Sequence, residues 1–248
     1  MNTVVVGASS GLGRSIAIGL GQRGAKVALL ARRLDRLTDA AKESGPGNLA
    51  IRCDVKDAAS CQAAIDEAAA GLGGIDALIY APGVGTLGRL VDLTADDWHH
   101  TFDTNVIGAA FVTNAAIPHL TASTGVAVYL SSVAGSLTAP WPGLGSYAAS
   151  KAALGTVVEA YRIEHPTIGF TRVIVGDCAG GEGASGTEFA SGWDMEVFMD
   201  LHPLWESGNL LSGALMDVEE LVRIVDAVVQ CGGSATIPTV AVIPRRPG

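Results

Sequence analysis

The feature that most constrains the fold is an alternation. Seven short runs rich in β-branched residues, at 3–6, 26–30, 49–53, 75–80, 126–130, 170–175 and 236–243, are separated by connections long enough to hold a helix. Runs such as Val4-Val5-Val6 are apolar at every position, so both faces of the strand must be covered. Amphipathic stretches at 11–23, 34–44, 58–72, 94–120, 146–164 and 217–230 supply that cover, the last opening with Asp217 and Glu220 in capping-box register. Parallel strands joined by right-handed helical crossovers give a doubly wound α/β domain of Rossmann type with a central parallel sheet of about seven strands. No linker or change of composition interrupts the pattern. Residues 1–248 therefore read as one domain, with a cofactor half near 1–125 and a catalytic and substrate half near 126–248.

Such a sheet binds ligands beyond the carboxyl ends of its strands. The first loop there is Gly7-Ala8-Ser9-Ser10-Gly11-Leu12-Gly13. Its glycines allow a tight turn and close approach to a pyrophosphate, which then faces the amides at a helix N-terminus. Gly7, Ser9, Ser10, Gly11, Leu12 and Gly13 are thus cofactor-binding candidates, although the spacing is G-x-x-x-G-x-G and not the usual G-x-G-x-x-G. The same residues satisfy G-x-S-x-G, the nucleophile elbow of α/β hydrolases with Ser9 as nucleophile, but no earlier strand exists to provide the oxyanion donor. The second strand ends in Ala31-Arg32-Arg33. A small residue followed by arginines suits the 2′-phosphate of NADP(H), where a carboxylate would suit the ribose of NAD(H). Charge agrees with an anionic ligand at this end: residues 1–60 hold 9 Lys and Arg against 5 Asp and Glu, in a chain of net charge −9. Asp54 and Val55, after the third strand, either line an adenine pocket or form a plain turn.

The most specific constellation is Tyr147-Ala148-Ala149-Ser150-Lys151 at a helix start. A four-residue offset places phenol and ammonium on one face, where the positive charge lowers the phenol pKa and readies it for proton transfer. Ser132, just beyond the fifth strand, lies at the same sheet edge and is placed to hydrogen-bond a carbonyl oxygen.

With these pieces, and with Cys53-Asp54-Val55 and Thr104-Asn105-Val106, the chain resembles the short-chain dehydrogenase/reductase family, classical type, over nearly its whole length. The resemblance implies a catalytic tetrad of Asn105, Ser132, Tyr147 and Lys151. In it Tyr147 is the acid/base, Ser132 orients the substrate oxygen, Lys151 also binds the nicotinamide ribose, and Asn105 holds a water for proton relay. It further implies cofactor contacts from Ala81, Gly83 and Thr187, the last near the carboxamide. Three departures from the family pattern stand out, one being a slightly long loop from Ser132 to Tyr147 that carries Pro140-Trp141-Pro142, with a differing C-terminal end. Tyr80-Ala81-Pro82-Gly83 stands where Asn-Asn-Ala-Gly is usual, so the asparagine bonds that brace the sheet must be replaced. Gly176-Asp177-Cys178-Ala179-Gly180-Gly181 stands where a Pro-Gly pair is usual.

The expected activity is an NADP-preferring oxidoreductase acting on a carbonyl or secondary alcohol. The rival reading is a nicotinamide-binding regulatory or scaffold protein that kept the fold and lost turnover. Phe189, Trp193, Phe198 and Trp205 place 4 of the 13 aromatics after the sixth strand, behind a run of glycines. That composition suits either a movable lid over about 180–210 for a bulky apolar substrate, with Trp141, Phe189 and Trp193 lining it, or a small helical pair completing the core. The acidic net charge argues against nucleic-acid binding. The five histidines show no metal-ligand spacing, and four scattered cysteines without a Cys-x-x-Cys pair suit free thiols in a reducing compartment. Met1-Asn2-Thr3 runs directly into a strand and no apolar run is read as long enough to span a bilayer, so a cytoplasmic protein without membrane attachment is expected. Through the resemblance, the helices at 94–120 and 146–164 are expected to pair between subunits of a homodimer or homotetramer.

Overall fold

The computed structural model describes residues 1–245 except 182, 184, 185, 212 and 232. Its seven strands are β1 (Asn2–Val6), β2 (Lys26–Ala31), β3 (Leu49–Arg52), β4 (Ala77–Tyr80), β5 (Val126–Ser132), β6 (Gly169–Val175) and β7 (Thr239–Val242). They form one sheet in the order β3-β2-β1-β4-β5-β6-β7, every pairing parallel. Val4, Val5 and Val6 are fully buried because helices lie on both sides.

The helices are α1 (Gly11–Gln22), α2 (Leu34–Ser44), α3 (Ala58–Leu72), α4 (Ala95–Phe102), α5 (Gly108–Ser123), α6 (Gly145–Glu164), α7 (Met195–Ser207) and α8 (Val218–Val229). One apolar layer joins α3, α5 and α6 to the sheet through Ile65, Val112, Leu154 and Val158. The opposite layer uses Ile16, Leu20, Leu37, Leu221 and Val225 of α1, α2 and α8. The α1 and α8 backbones come so close that a Cβ on Gly19 would sit 2.5 Å from Val222 Cγ1, which fixes glycine there. The order of strand addition reverses at β1, with β2 and β3 laid to one side and β4 to β7 to the other, and this switch opens a crevice above the carboxyl ends of β1 and β4.

Three expectations need correction. The stretch 94–120 is two helices, α4 and α5, joined by a π-helical turn (Asp103–Ile107), and it runs on to Ser123. Over 95–123 it is also long and apolar enough to cross a bilayer, contrary to the sequence reading; α5 packs on α3, and α4 and the π turn pack on α6. The helix α7 lies in the segment read as either a lid or a small helical pair, whose bounds the sequence left open. At α8, Asp217 caps the Glu219 amide at 2.9 Å while Glu220 turns to Arg223, and the reciprocal box forms instead at Thr94 and Asp97 of α4.

Candidate active site

The loop after β1 turns because Gly7 (φ +80°) and Gly11 (φ +57°) adopt left-handed backbone. Gly7 is further required by Pro82, whose nitrogen would lie 2.9 Å from a Cβ there. Gly13 meets the Gly7 carbonyl and Ala81 just as tightly, so α1 starts directly on the sheet edge. Ser9 and Ser10 both accept hydrogen bonds from Arg33 Nη2, at 2.9 Å each. Arg33, and not Arg32, is therefore the guanidinium on the glycine loop. Arg32 is exposed on the other side, where burial first, then the charges of Lys56 and Arg32, hold His100 below its usual pKa. Asp54 makes a turn: its carboxylate accepts from the Lys56 amide at 3.1 Å and its own amide donates to Ser60 Oγ. Val55 packs on Gly108, at the end of the π turn.

At the other end of the edge, β5 ends in Ser132 and α6 begins beside it. Lys151, 3% exposed, donates from Nζ to the Leu130 carbonyl at 2.8 Å. Its ammonium lies 5.8 Å from the Tyr147 ring centroid and 3.4 Å from where a Cβ of Gly83 would be, so Gly83 keeps that space open. Burial lowers the Lys151 pKa to about 8. The lowering of the Tyr147 phenol expected from Lys151 is overturned: burial raises it above its ordinary value, opposed by the hydrogen bond with Ser132. Ser132 in turn accepts from the Ala134 amide at 3.2 Å.

Asn105 is fully buried in the π turn and acts as a clamp. Its Oδ1 accepts from the Val84 amide at 2.9 Å, and its Nδ2 donates to the Val84 carbonyl at 2.8 Å and to Ser150 Oγ at 2.9 Å. It thus ties the β4 loop to α6 one residue before Lys151. The missing family asparagines are replaced by Tyr80, whose buried hydroxyl donates to the Thr104 carbonyl at 2.5 Å. A Cβ on Gly108 would stand 2.9 Å from that oxygen, so the tyrosine depends on the glycine. π turns inside helices often mark functional positions, and this one carries Asn105.

The aromatic segment forms a satellite core. Leu87, Leu144, Leu201 and Trp205 are buried together, with Trp141, Phe189, Trp193 and Phe198 packed around them. Phe189 also covers Tyr147, ring centroids 4.7 Å apart, and Trp193 Nε1 donates to the Gly85 carbonyl at 3.0 Å. Trp141 meets Trp205 with ring centroids 5.2 Å apart and planes tilted by 53°. Thr187 lies over Gly11, where a Cβ would approach it to 3.4 Å. Sequence reasoning missed Tyr80, Ser150 and Glu188. Tyr80 was signalled by the departure at its position; Glu188, a lone acid in an irregular segment, carried no signal.

One sheet edge thus offers a glycine turn with a guanidinium and two hydroxyls, and a few residues along it a phenol, an ammonium and a serine. That arrangement defines a dinucleotide-binding α/β protein equipped for proton transfer. The chain belongs to the short-chain dehydrogenase family, whose model matches residues 1–183. It is similar to 11-beta-hydroxysteroid dehydrogenase-like 3 of Arabidopsis thaliana, 39% identical over 179 residues that cover 70% of this chain and 57% of that protein. It is also similar to Oxidoreductase UcpA of Salmonella typhimurium, 34% identical over 169 residues, 67% of this chain and 64% of that one. The matches span between half and two thirds of these relatives' lengths. Among solved structures, a short-chain type dehydrogenase/reductase from Mycobacterium marinum superposes with TM-score 0.81 at 26% identity, covering 97% of this chain and 93% of that one. An alcohol dehydrogenase from the archaeon Thermococcus sibiricus, complexed with 5-hydroxy-NADP, gives TM-score 0.80 at 22% identity over 97% and 94% of the two chains, a likeness of fold.

Proposed function

We propose that the protein is an NADP-preferring oxidoreductase that interconverts a carbonyl and a secondary alcohol on a largely apolar substrate. The convergence of Ser132, Tyr147 and Lys151 on one sheet edge with the glycine loop is the observation that carries this reading. The residues fit the cofactor. The turn at Gly7 to Gly13 presents backbone too closely packed for side chains, and Arg33 with Ser9 and Ser10 forms a donor cluster where a 2′-phosphate would be held. When bound, the nicotinamide supplies or accepts the hydride.

The chain's own residues manage orientation and the proton. Ser132 fixes the substrate oxygen against Tyr147 Oη, which donates its proton in reduction and accepts one in oxidation. Lys151, held by the Leu130 carbonyl, keeps its ammonium 5.8 Å from the centre of the Tyr147 ring, in the space that Gly83 leaves open. Asn105 keeps the Val84 loop and α6 in register, so that Gly83 leaves room beside the ammonium. The apolar character of the substrate is supported by Phe189 and Trp193 standing against Tyr147 and Gly85, and hydroxysteroid-dehydrogenase names among the relatives agree with it. Four free thiols suit a reducing, cytoplasmic setting.

The test is turnover with both nicotinamide nucleotides against a panel of carbonyls and alcohols, with nucleotide affinities measured in parallel. NADPH is expected to bind more tightly than NADH, and Arg33→Ala to reduce that preference about tenfold, the worth of a hydrogen bond to a charged group. Equal affinities refute the cofactor preference. Absence of turnover across the panel refutes the enzyme in favour of a binding protein.

A further inference from the structure

The segment 186–193 occupies both ends of the site just described. At the nucleotide end, the Glu188 carboxylate lies between two guanidinium groups: Arg33 Nη1 donates to Oε2 at 2.6 Å and Arg36 Nη1 to Oε1. Ser10 Oγ donates to Oε2 at 3.3 Å. These partners include Arg33 and Ser10, which hold the 2′-phosphate in the reading above. Two residues earlier, the Gly186 carbonyl accepts the Gly11 amide at 3.1 Å, taking an N–H at the start of α1 that would face a pyrophosphate. At the chemical end, Phe189 covers the Tyr147 ring and Trp193 is tied to Gly85. Gly180 (φ +79°) and Gly183 (φ +56°) lead into the segment in left-handed backbone. Glu188 lies beyond the residues that the family model matches.

We propose that Glu188 is a latch displaced by the cofactor's 2′-phosphate, so that binding a 2′-phosphorylated nucleotide lifts the strap and uncovers Tyr147. The inference rests on the NADP reading and deepens it. A phosphate monoester brings a charge near −2 and three acceptor oxygens against the carboxylate's −1 and two, so it wins the arginines. A nucleotide without that phosphate offers nothing that competes for Arg33 and Arg36, and the latch stays shut. Selection of the cofactor is then partly selection of the open strap, since a ligand moves such an equilibrium only by its difference in affinity for the two states. The pairs are about two-fifths exposed, at 38%, 41% and 39% for Arg33, Arg36 and Glu188. Each such pair biases the equilibrium about two- to threefold. The latch as a whole therefore lowers affinity for the phosphorylated ligand about three- to tenfold.

The experiment uses adenosine 2′,5′-bisphosphate and 5′-AMP as probes, titrated calorimetrically into the full chain and into Glu188→Gln. Hydrogen exchange over 186–193 is followed with each ligand. The glutamine keeps size and polarity and removes the charge. Expected are a gain of about three- to tenfold in bisphosphate affinity, no change for AMP, and faster exchange of the strap in the unmodified protein with the bisphosphate only. A gain below twofold, or an equal gain for AMP, overturns the latch. So does a strap whose exchange slows with the bisphosphate. If the unmodified chain binds both probes equally, the NADP reading fails first, and that outcome is distinct from a bisphosphate preference that Glu188→Gln leaves untouched.

Discussion

Tyr147 sits where burial opposes ionisation, with the Ser132 hydrogen bond opposing burial, and Lys151 beside it is itself pulled down to about pKa 8. Two predictions belong to these residues. Tyr147→Phe keeps the ring against Phe189 and deletes the transferable proton, so turnover should fall about 10²- to 10⁴-fold while nucleotide affinity persists; steady-state kinetics beside a binding titration checks both. The second concerns pH. The Lys151 pKa is depressed in the folded chain, so between about pH 8 and 10.5 the unfolded chain binds the extra proton and folding stability rises with pH. The slope cannot exceed about 1.4 kcal/mol per pH unit for one group. Denaturation of the cofactor-free protein from pH 7 to 10 should show this rise, and Lys151→Met should remove it. An equal rise in both proteins would assign it to other groups.

Among the elements, the π turn between α4 and α5 has the clearest chemical consequence. It holds Asn105 at Val84 and Ser150, and Tyr80 secures it from below through the Thr104 carbonyl. Tyr80→Phe leaves a buried carbonyl without this donor, at a cost of about 1–3 kcal/mol. A lower unfolding midpoint is expected, together with a kcat that falls more than nucleotide affinity does, because Asn105 braces the catalytic end of the edge. An unchanged midpoint would show that the bond contributes nothing. The same turn explains why 94–120 reads as one helix: a π turn adds one residue and shifts the apolar stripe by about 100°, but the chain stays helical through it. The bounds of α7 escaped for a different reason. Its aromatic and methionine residues read equally as lid or core, and the structure divides them: Trp205 and Leu201 are buried, whereas Met195 and Met199 are 64% and 67% exposed.

For the whole molecule, assembly is the property with a direct test. The layer of α5 and α6 presents Ile107 and Ile163 at 42% and 80% exposure beside partly buried Phe111 and Tyr161. An apolar face of this kind is expected to be covered by a second copy, giving a homodimer or homotetramer. Sedimentation at micromolar concentration should find one of these, and a monomer would refute it.

The sequence by itself determined the sheet, the glycine turn and the Tyr147–Lys151 pair, because each is a local pattern: apolar runs of strand length, glycine where backbone must turn, and a four-residue offset along a helix. It also pointed to arginines after β2. Which arginine meets the loop was decided by the path of the chain into α2, which turns Arg33 onto Ser9 and Ser10 and Arg32 toward His100. The pairing of Tyr80 with Thr104 spans 24 residues and that of Arg33 with Glu188 spans 155. No periodicity connects such positions. Only tertiary structure brings them within hydrogen-bonding distance, because a buried carbonyl and a clustered positive charge each require a partner from wherever in the chain one can reach them.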